Sequence, residues 1–150
     1  MSQNTLHAVT PYLTVQGADA AITFYKNIFG AKEVGRLNMM GKIGHAELSI
    51  GNVSFYLADE MPEWGNQSPQ TLSGSPVTIA LRVSHVDEVF QAALAAGATQ
   101  LEAVQDMFYG ERMGVFTDPF GHRWHVSTHI EDVSFAEMQK RCDAMMAAKR

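Results

Sequence analysis

The sequence predicts an α+β fold of two βαβββ modules followed by a C-terminal helix. Three observations carry that expectation. Apolar periodicity switches between two residues and three-to-four residues in a fixed order, turn residues punctuate each switch, and the whole order occurs twice. The 150 residues suit a single domain, 1–150, and an apolar fraction of 46% is enough for a sizeable core.

The first module spans about residues 7–60. Residues 9–15 read as a strand. Asp19 reads as the N-cap of a helix running to Phe29, because Ala21, Ile22, Tyr25, Ile28 and Phe29 recur at helical spacing. Gly30 supplies the stop. Strands follow at 32–38, 44–50 and 53–59, the last two joined by Gly51-Asn52 as a tight hairpin.

The second module, about 77–130, repeats the order. It has a strand at 77–83, a helix from Val86 to Ala96 stopped by Gly97, and strands at 99–104, 114–117 and 122–128. The last two pair across Asp118-Pro119-Phe120-Gly121, with Pro and Gly where a turn wants them. Val15 and Asp19 match Val83 and Asp87 at one offset, and Gly30-Ala31 match Gly97-Ala98 at an offset one residue shorter. The repeat is one of pattern.

Between the modules, residues 61–76 carry Pro62, Pro69, Pro76, Gly65 and Gly74 and read as a linker. Trp64 keeps a lid open as the alternative, since a large aromatic in a polar loop usually packs on something. At the other end a helix covers 134–149, opened by the capping box Ser134 and Glu137. Its stripe of Phe135, Met138, Cys142, Met145 and Met146 is expected to dock on its own domain or on a second subunit.

Composition narrows the partners. Eleven Lys+Arg against sixteen Asp+Glu give a net charge of −5, and the basic cluster of Lys140, Arg141, Lys149 and Arg150 sits at the C-terminal end. Nucleic acid is therefore not expected as a partner. The single Cys142 allows no intramolecular disulfide and no CxxC motif. No cationic region followed by an apolar stretch opens the chain, and no apolar run reaches a membrane span of roughly 18 residues. The expectation is a cytoplasmic protein without a membrane partner.

Splitting each strand by parity is the informative step. Leu13 and Val15 oppose Thr10, Tyr12 and Thr14. Ala46, Leu48 and Ile50 oppose His45, Glu47 and Ser49. Val53, Phe55 and Leu57 oppose Ser54, Tyr56 and Ala58. In the second module Ile79, Leu81 and Val83 oppose Thr78, Ala80 and Arg82, and Trp124 and Val126 oppose Arg123, His125 and Ser127. Five strands thus share an apolar stripe, to be covered by helices, and a polar stripe with few charges. A solvated sheet face would carry more charge, so a concave, partly enclosed surface is expected.

On those stripes His45 and Glu47 share a face at roughly 6.5–7 Å, close enough to co-ligate or to act as a base with an orienting partner. Structural hydrogen bonding is the plainer alternative. His122 and His125 point to opposite faces, and His125 and His129 stand roughly 13 Å apart on one face, too far for one ion. In the loop 105–112, Arg112 either clamps an anionic group or pairs with Asp106, and Tyr109 either stacks or donates.

These residues resemble a known family. Thr10-Pro11-Tyr12-Leu13, Phe24-Tyr25 through Phe29-Gly30-Ala31, Gly44-His45-Ala46-Glu47-Leu48, the run DMFYGERMGVFTDPFGHRW from Asp106 to Trp124, and Ile130-Glu131-Asp132-Val133 are similar to the vicinal oxygen chelate superfamily. That superfamily includes glyoxalase I, bleomycin-resistance proteins, fosfomycin-resistance enzymes and extradiol dioxygenases, and the resemblance is to its PhnB-like members. It implies a cupped mixed sheet built from both modules, helices on the outer face, and a homodimer. It also implies metal-ligand positions on the first and last strands of each module. Here those positions hold Thr10, Tyr56, Thr78 and His125, of which only His125 is a good ligand.

Two functional expectations follow. One is a small-molecule binder without the usual metal and with no cofactor, its ligand lined by Tyr12, Tyr56, Trp64, Thr78, Arg82, Phe108, Tyr109 and Arg112. The other is a lyase or isomerase acting beside a carbonyl through His45, Glu47 and His125, with a divalent ion at that relocated site left open.

Overall fold

In the computed structural model, which describes residues 3–149, the chain divides into two units that meet between Gly74 and Ser75. Met1, Ser2 and Arg150, the last of these read above as part of the basic cluster, lie outside the described residues.

The first unit runs β1 (Tyr12–Val15), α1 (Ala18–Phe29), β2 (Lys32–Met39), β3 (Lys42–Ile50) and β4 (Val53–Asp59). Its sheet has the order β1-β4-β3-β2, with β1 parallel to β4 and the other neighbours antiparallel. β1 is shorter than the apolar run suggests. Pro11 has no N–H to give the ladder, although its carbonyl still accepts from the Tyr56 N–H at 2.9 Å.

Asp19 is not the N-cap. Gly17, in the left-handed region at φ 85°, takes that place, and Asp19 turns outward to Arg36 at 2.7 Å. The capping oxygens come from across the unit. Asp59 Oδ1 accepts from the Gly17 and Ala18 N–H groups at 3.1 and 2.8 Å, and its Oδ2 accepts from Ile43 N–H at 2.8 Å. One carboxylate thus joins a helix start to a strand start.

Much of the expected linker is built into the first unit. Residues Pro62–Trp64 form a 3-10 turn and Pro69–Leu72 a short helix, α2. Glu60 accepts from Ser68 N–H at 2.6 Å and from Gln16 at 3.3 Å. Met61 is buried and bridges to Asn66. Trp64 does not pack in the way a lid was expected to use it, since it is 54% exposed.

The second unit repeats the plan with β5 (Thr78–Arg82), α3 (Val86–Ala95), β6 (Thr99–Asp106), β7 (Glu111–Thr117), β8 (Arg123–His129) and then α4 (Phe135–Ala148). The sheet order β5-β8-β7-β6 mirrors the first, again with the first strand parallel to the last. β6 and β7 extend through Asp106↔Arg112, so most of the loop read at 105–112 is a hairpin. His122 precedes β8, and its N–H bonds Asp118 Oδ1 at 3.0 Å. The same carboxylate takes Phe120 N–H and the Trp124 indole N–H, each at 2.8 Å, which fixes the 118–121 turn.

Each core lies between one helix and the apolar stripe of its sheet. Leu13, Val15, Ala46, Leu48, Phe55 and Leu57 are buried with Ala21, Ile22 and Tyr25 of α1. Phe116, Trp124 and Val126 are buried with Val86, Phe90 and Ala93 of α3. α4 is different: none of its residues is buried, and Phe135 is 87% exposed. Half of its capping box forms. Glu137 N–H bonds Ser134 Oγ at 3.1 Å, while the Glu137 carboxylate turns to Arg141 instead. Among the described residues no helix is long and apolar enough to cross a membrane.

Candidate functional site

Strand order decides what the polar stripe of the first sheet becomes. Because β4 lies between β1 and β3, Tyr56 pairs with Tyr12 on one side and Glu47 on the other. His45 stands on the same face as Glu47. Tyr12, His45 and Tyr56 close into a cluster of three rings, with centroids 5.0–5.6 Å apart and edge-to-face geometry at every contact.

A hydrogen bond of 2.7 Å joins Tyr12 Oη to His45 Nδ1. Burial pushes the Tyr12 phenol above its ordinary pKa. The bond holds the His45 ring in place, with Nε2 as its other polar edge. His45 is therefore oriented by Tyr12 rather than by Glu47. The Glu47 carboxylate is half-buried beside Tyr56 and forms no ion pair among the described residues.

In the second unit His125 stands opposite Ala80 and Val115, and its Nδ1 is buried with no partner among the described residues. Thr78 is exposed beside Arg123. Arg112 is fully engaged: it grips Asp87 with two bonds of 2.8 and 3.0 Å and Asp106 with one of 3.0 Å. Those carboxylates hold its guanidinium charged. Phe108 and Tyr109 meet edge to face at 5.2 Å. Burial, and then the Glu102 and Glu111 carboxylates, push the Tyr109 phenol up.

Arg82 is engaged as well, pairing with Glu111. Glu111 escaped sequence reasoning, and its neighbour His129 was weighed there only as a metal ligand. Parity alone placed His129 on the face of His125, but recognising Glu111 required the pairing Glu111↔His129 and a strand that began earlier than its apolar run.

The whole chain can now be set beside known proteins. The family model of the Glyoxalase/Bleomycin resistance protein/Dioxygenase superfamily matches residues 5–126. The chain belongs to that superfamily. A Mycobacterium bovis protein described as uncharacterized is 43% identical over 143 residues, which is 93% of this chain and 94% of its own length. The X-ray structure of an Arabidopsis thaliana gene product is 28% identical with a TM-score of 0.67, covering 82% of this chain and 99% of that one. A PhnB protein of Bacillus cereus, 19% identical with a TM-score of 0.61 over 81% of this chain and 99% of its own, shares the fold.

For a member of this superfamily the donor set at the implied metal positions is poor. Thr10 lies before β1, Tyr56 belongs to the ring cluster, Thr78 is a hydroxyl on β5, and His125 is the one imidazole. Among the described residues no three His, Cys, Asp or Glu side chains gather closely enough to hold an ion. These residues do not fit the metal of the metal-using members.

Proposed function

We propose that this superfamily member binds a small aromatic or conjugated molecule against the polar face of its first sheet, without a metal ion. The carrying observation is the cluster of Tyr12, His45 and Tyr56. It offers ring faces and edges for stacking, one oriented imidazole, and a flanking carboxylate in Glu47.

A thermal-shift screen of aromatic and heteroaromatic compounds on chelator-treated protein tests the reading. At least one compound is expected to raise the melting temperature. Tyr56→Leu is expected to weaken its binding about tenfold, the size of one good ring contact. Binding indifferent to Tyr56→Leu overturns the proposal.

One observation favours the second reading, a lyase or isomerase acting beside a carbonyl. Glu47 is a carboxylate with no ion pair among the described residues, on the face of an oriented histidine. Under that reading Glu47→Gln abolishes turnover while ligand affinity survives. We read the protein further as a cytoplasmic homodimer. α4 buries no residue and exposes Phe135 and Met146, as a helix awaiting a second copy would. Gel filtration at twice the 16.5 kDa chain mass is the expected result, and elution at the monomer mass contradicts it.

A further inference from the structure

The second unit contains a separate cavity of about 370 Å³, within the usual range for small-ligand sites. It lies over the ends of β5, β7 and β8 and the start of α4, and its lining includes Arg82, Tyr109, Glu111, His129, Asp132 and Met138. Its charges are unevenly spent. Arg82 is taken up by Glu111 Oε1, and Glu131, also in the lining, is taken up by Arg141 in two bonds of 2.9 and 3.0 Å. Among the described residues Glu111 Oε2 has no partner, and Asp132 has His129 alone.

Glu111 is the decisive residue. It is only 8% exposed, it lines the cavity, and its Oε2 is buried with no partner among the described residues. A buried carboxylate oxygen without a donor is costly, and one on a side chain that lines a cavity points to a ligand that supplies the donor. His129 does not meet the need. Its Nε2 lies 2.7 Å from Asp132 Oδ1 and its Nδ1 lies 3.5 Å from Glu111 Oε1, which leaves Glu111 Oε2 without a donor among the described residues.

The walls are held in advance. Gly110, at φ 91°, carries its carbonyl to the N–H groups of Ile130 and Glu131, and a Cβ there would lie 2.2 Å from the Glu131 carbonyl oxygen. Arg141 reaches from α4 to the Phe108 carbonyl at 2.9 Å and to Glu131. Loop, strand end and helix are thereby stapled around the opening.

We propose that this cavity binds an organic cation, a protonated primary amine on a short apolar or aromatic body. The ammonium supplies a donor to Glu111 Oε2 and a charge to Asp132. The Tyr109 ring and Met138 receive the body, and the ring face adds a cation–π contact. Nothing in this assignment depends on the ring cluster of the first unit.

The test is a titration with 2-phenylethylamine and, as the uncharged control, 2-phenylethanol, followed by amide NMR shifts at Gly110, Glu111 and Val133. The amine is expected to shift these amides saturably and the alcohol at least tenfold more weakly. Glu111→Gln is expected to cost the amine at least tenfold in affinity and Asp132→Asn severalfold. Asp132 is fully exposed, so its replacement spares the fold and decides the matter, together with the alcohol control, if Glu111→Gln fails to fold. Equal binding of amine and alcohol, no saturable shift at these amides, or amine affinity unchanged in a folded Glu111→Gln or in Asp132→Asn overturns the assignment.

Discussion

At the scale of single residues, glycines mark where the backbone or a ring comes too close for any side chain. A Cβ on Gly114 would lie 2.7 Å from the Phe90 ring, which packs edge to face on Phe116. Gly114→Ala is expected to lose about 1–3 kcal/mol in urea unfolding through overpacking. Gly35→Ala, with open space at its Cβ and no positive φ, is expected to lose almost nothing. Neither effect is legible in the sequence, because Phe90 meets Gly114 only once α3 lies on β7. The ring cluster was half legible. Alternation placed Tyr12, His45 and Tyr56 on polar stripes, but their contact depends on β4 inserting between β1 and β3. Arg112 shows the opposite case. Its pair with Asp106 was readable from spacing, while its two bonds to Asp87 were not, since they join α3 to a hairpin.

At the scale of elements, the repeat reaches further than the strand and helix pattern. Asp59 caps α1 from the end of β4, and Thr128 Oγ1 accepts the Val86 N–H at 2.9 Å from the end of β8. Asp59 pairs with Val15, and Thr128 follows the last pair of β5 and β8, Arg82↔Ser127, so the two caps occupy matched places. Asp59 does more, because it also holds Ile43. Asp59→Ala is expected to lose about 2–4 kcal/mol, and Thr128→Val about 1 kcal/mol, in chemical denaturation. Equal losses would contradict the bridging role of Asp59. The strands and helices themselves were readable from periodicity and from Gly30, Gly97 and the 118–121 turn. Asp19 misled because it stands where a local cap belongs, while the actual cap is distant in sequence.

At the scale of the whole molecule, acid stability follows from carboxylates held in ion pairs and hydrogen bonds. Arg141 holds Glu131, Arg112 holds Asp87, Arg36 holds Glu33, and the Thr71 and Ser68 groups hold Glu60, all below the ordinary carboxylate range. A pKa depressed in the folded state means stabilisation complete above roughly pH 4.5 and lost as pH falls through the folded values. Urea midpoints are therefore expected to be level from pH 7 to 5 and to fall below that. Arg141→Gln is expected to lower the plateau, with its curve converging on the parent's in acid as Glu131 protonates in both. The fold class, the repeat and the polar stripes were open to reading because they rest on periodicity. The cavity around Glu111 was closed to it, because it rests on pairing between strand ends.

The central claim is small-molecule binding on the first sheet without a metal ion. Calorimetric titration of the best compound from the screen into chelator-dialysed protein addresses it most directly. The expected result is saturable binding at one molecule per chain, with affinity unchanged when zinc, nickel or manganese is added. Binding that appears only after the metal is restored, with one ion retained per chain, would contradict it.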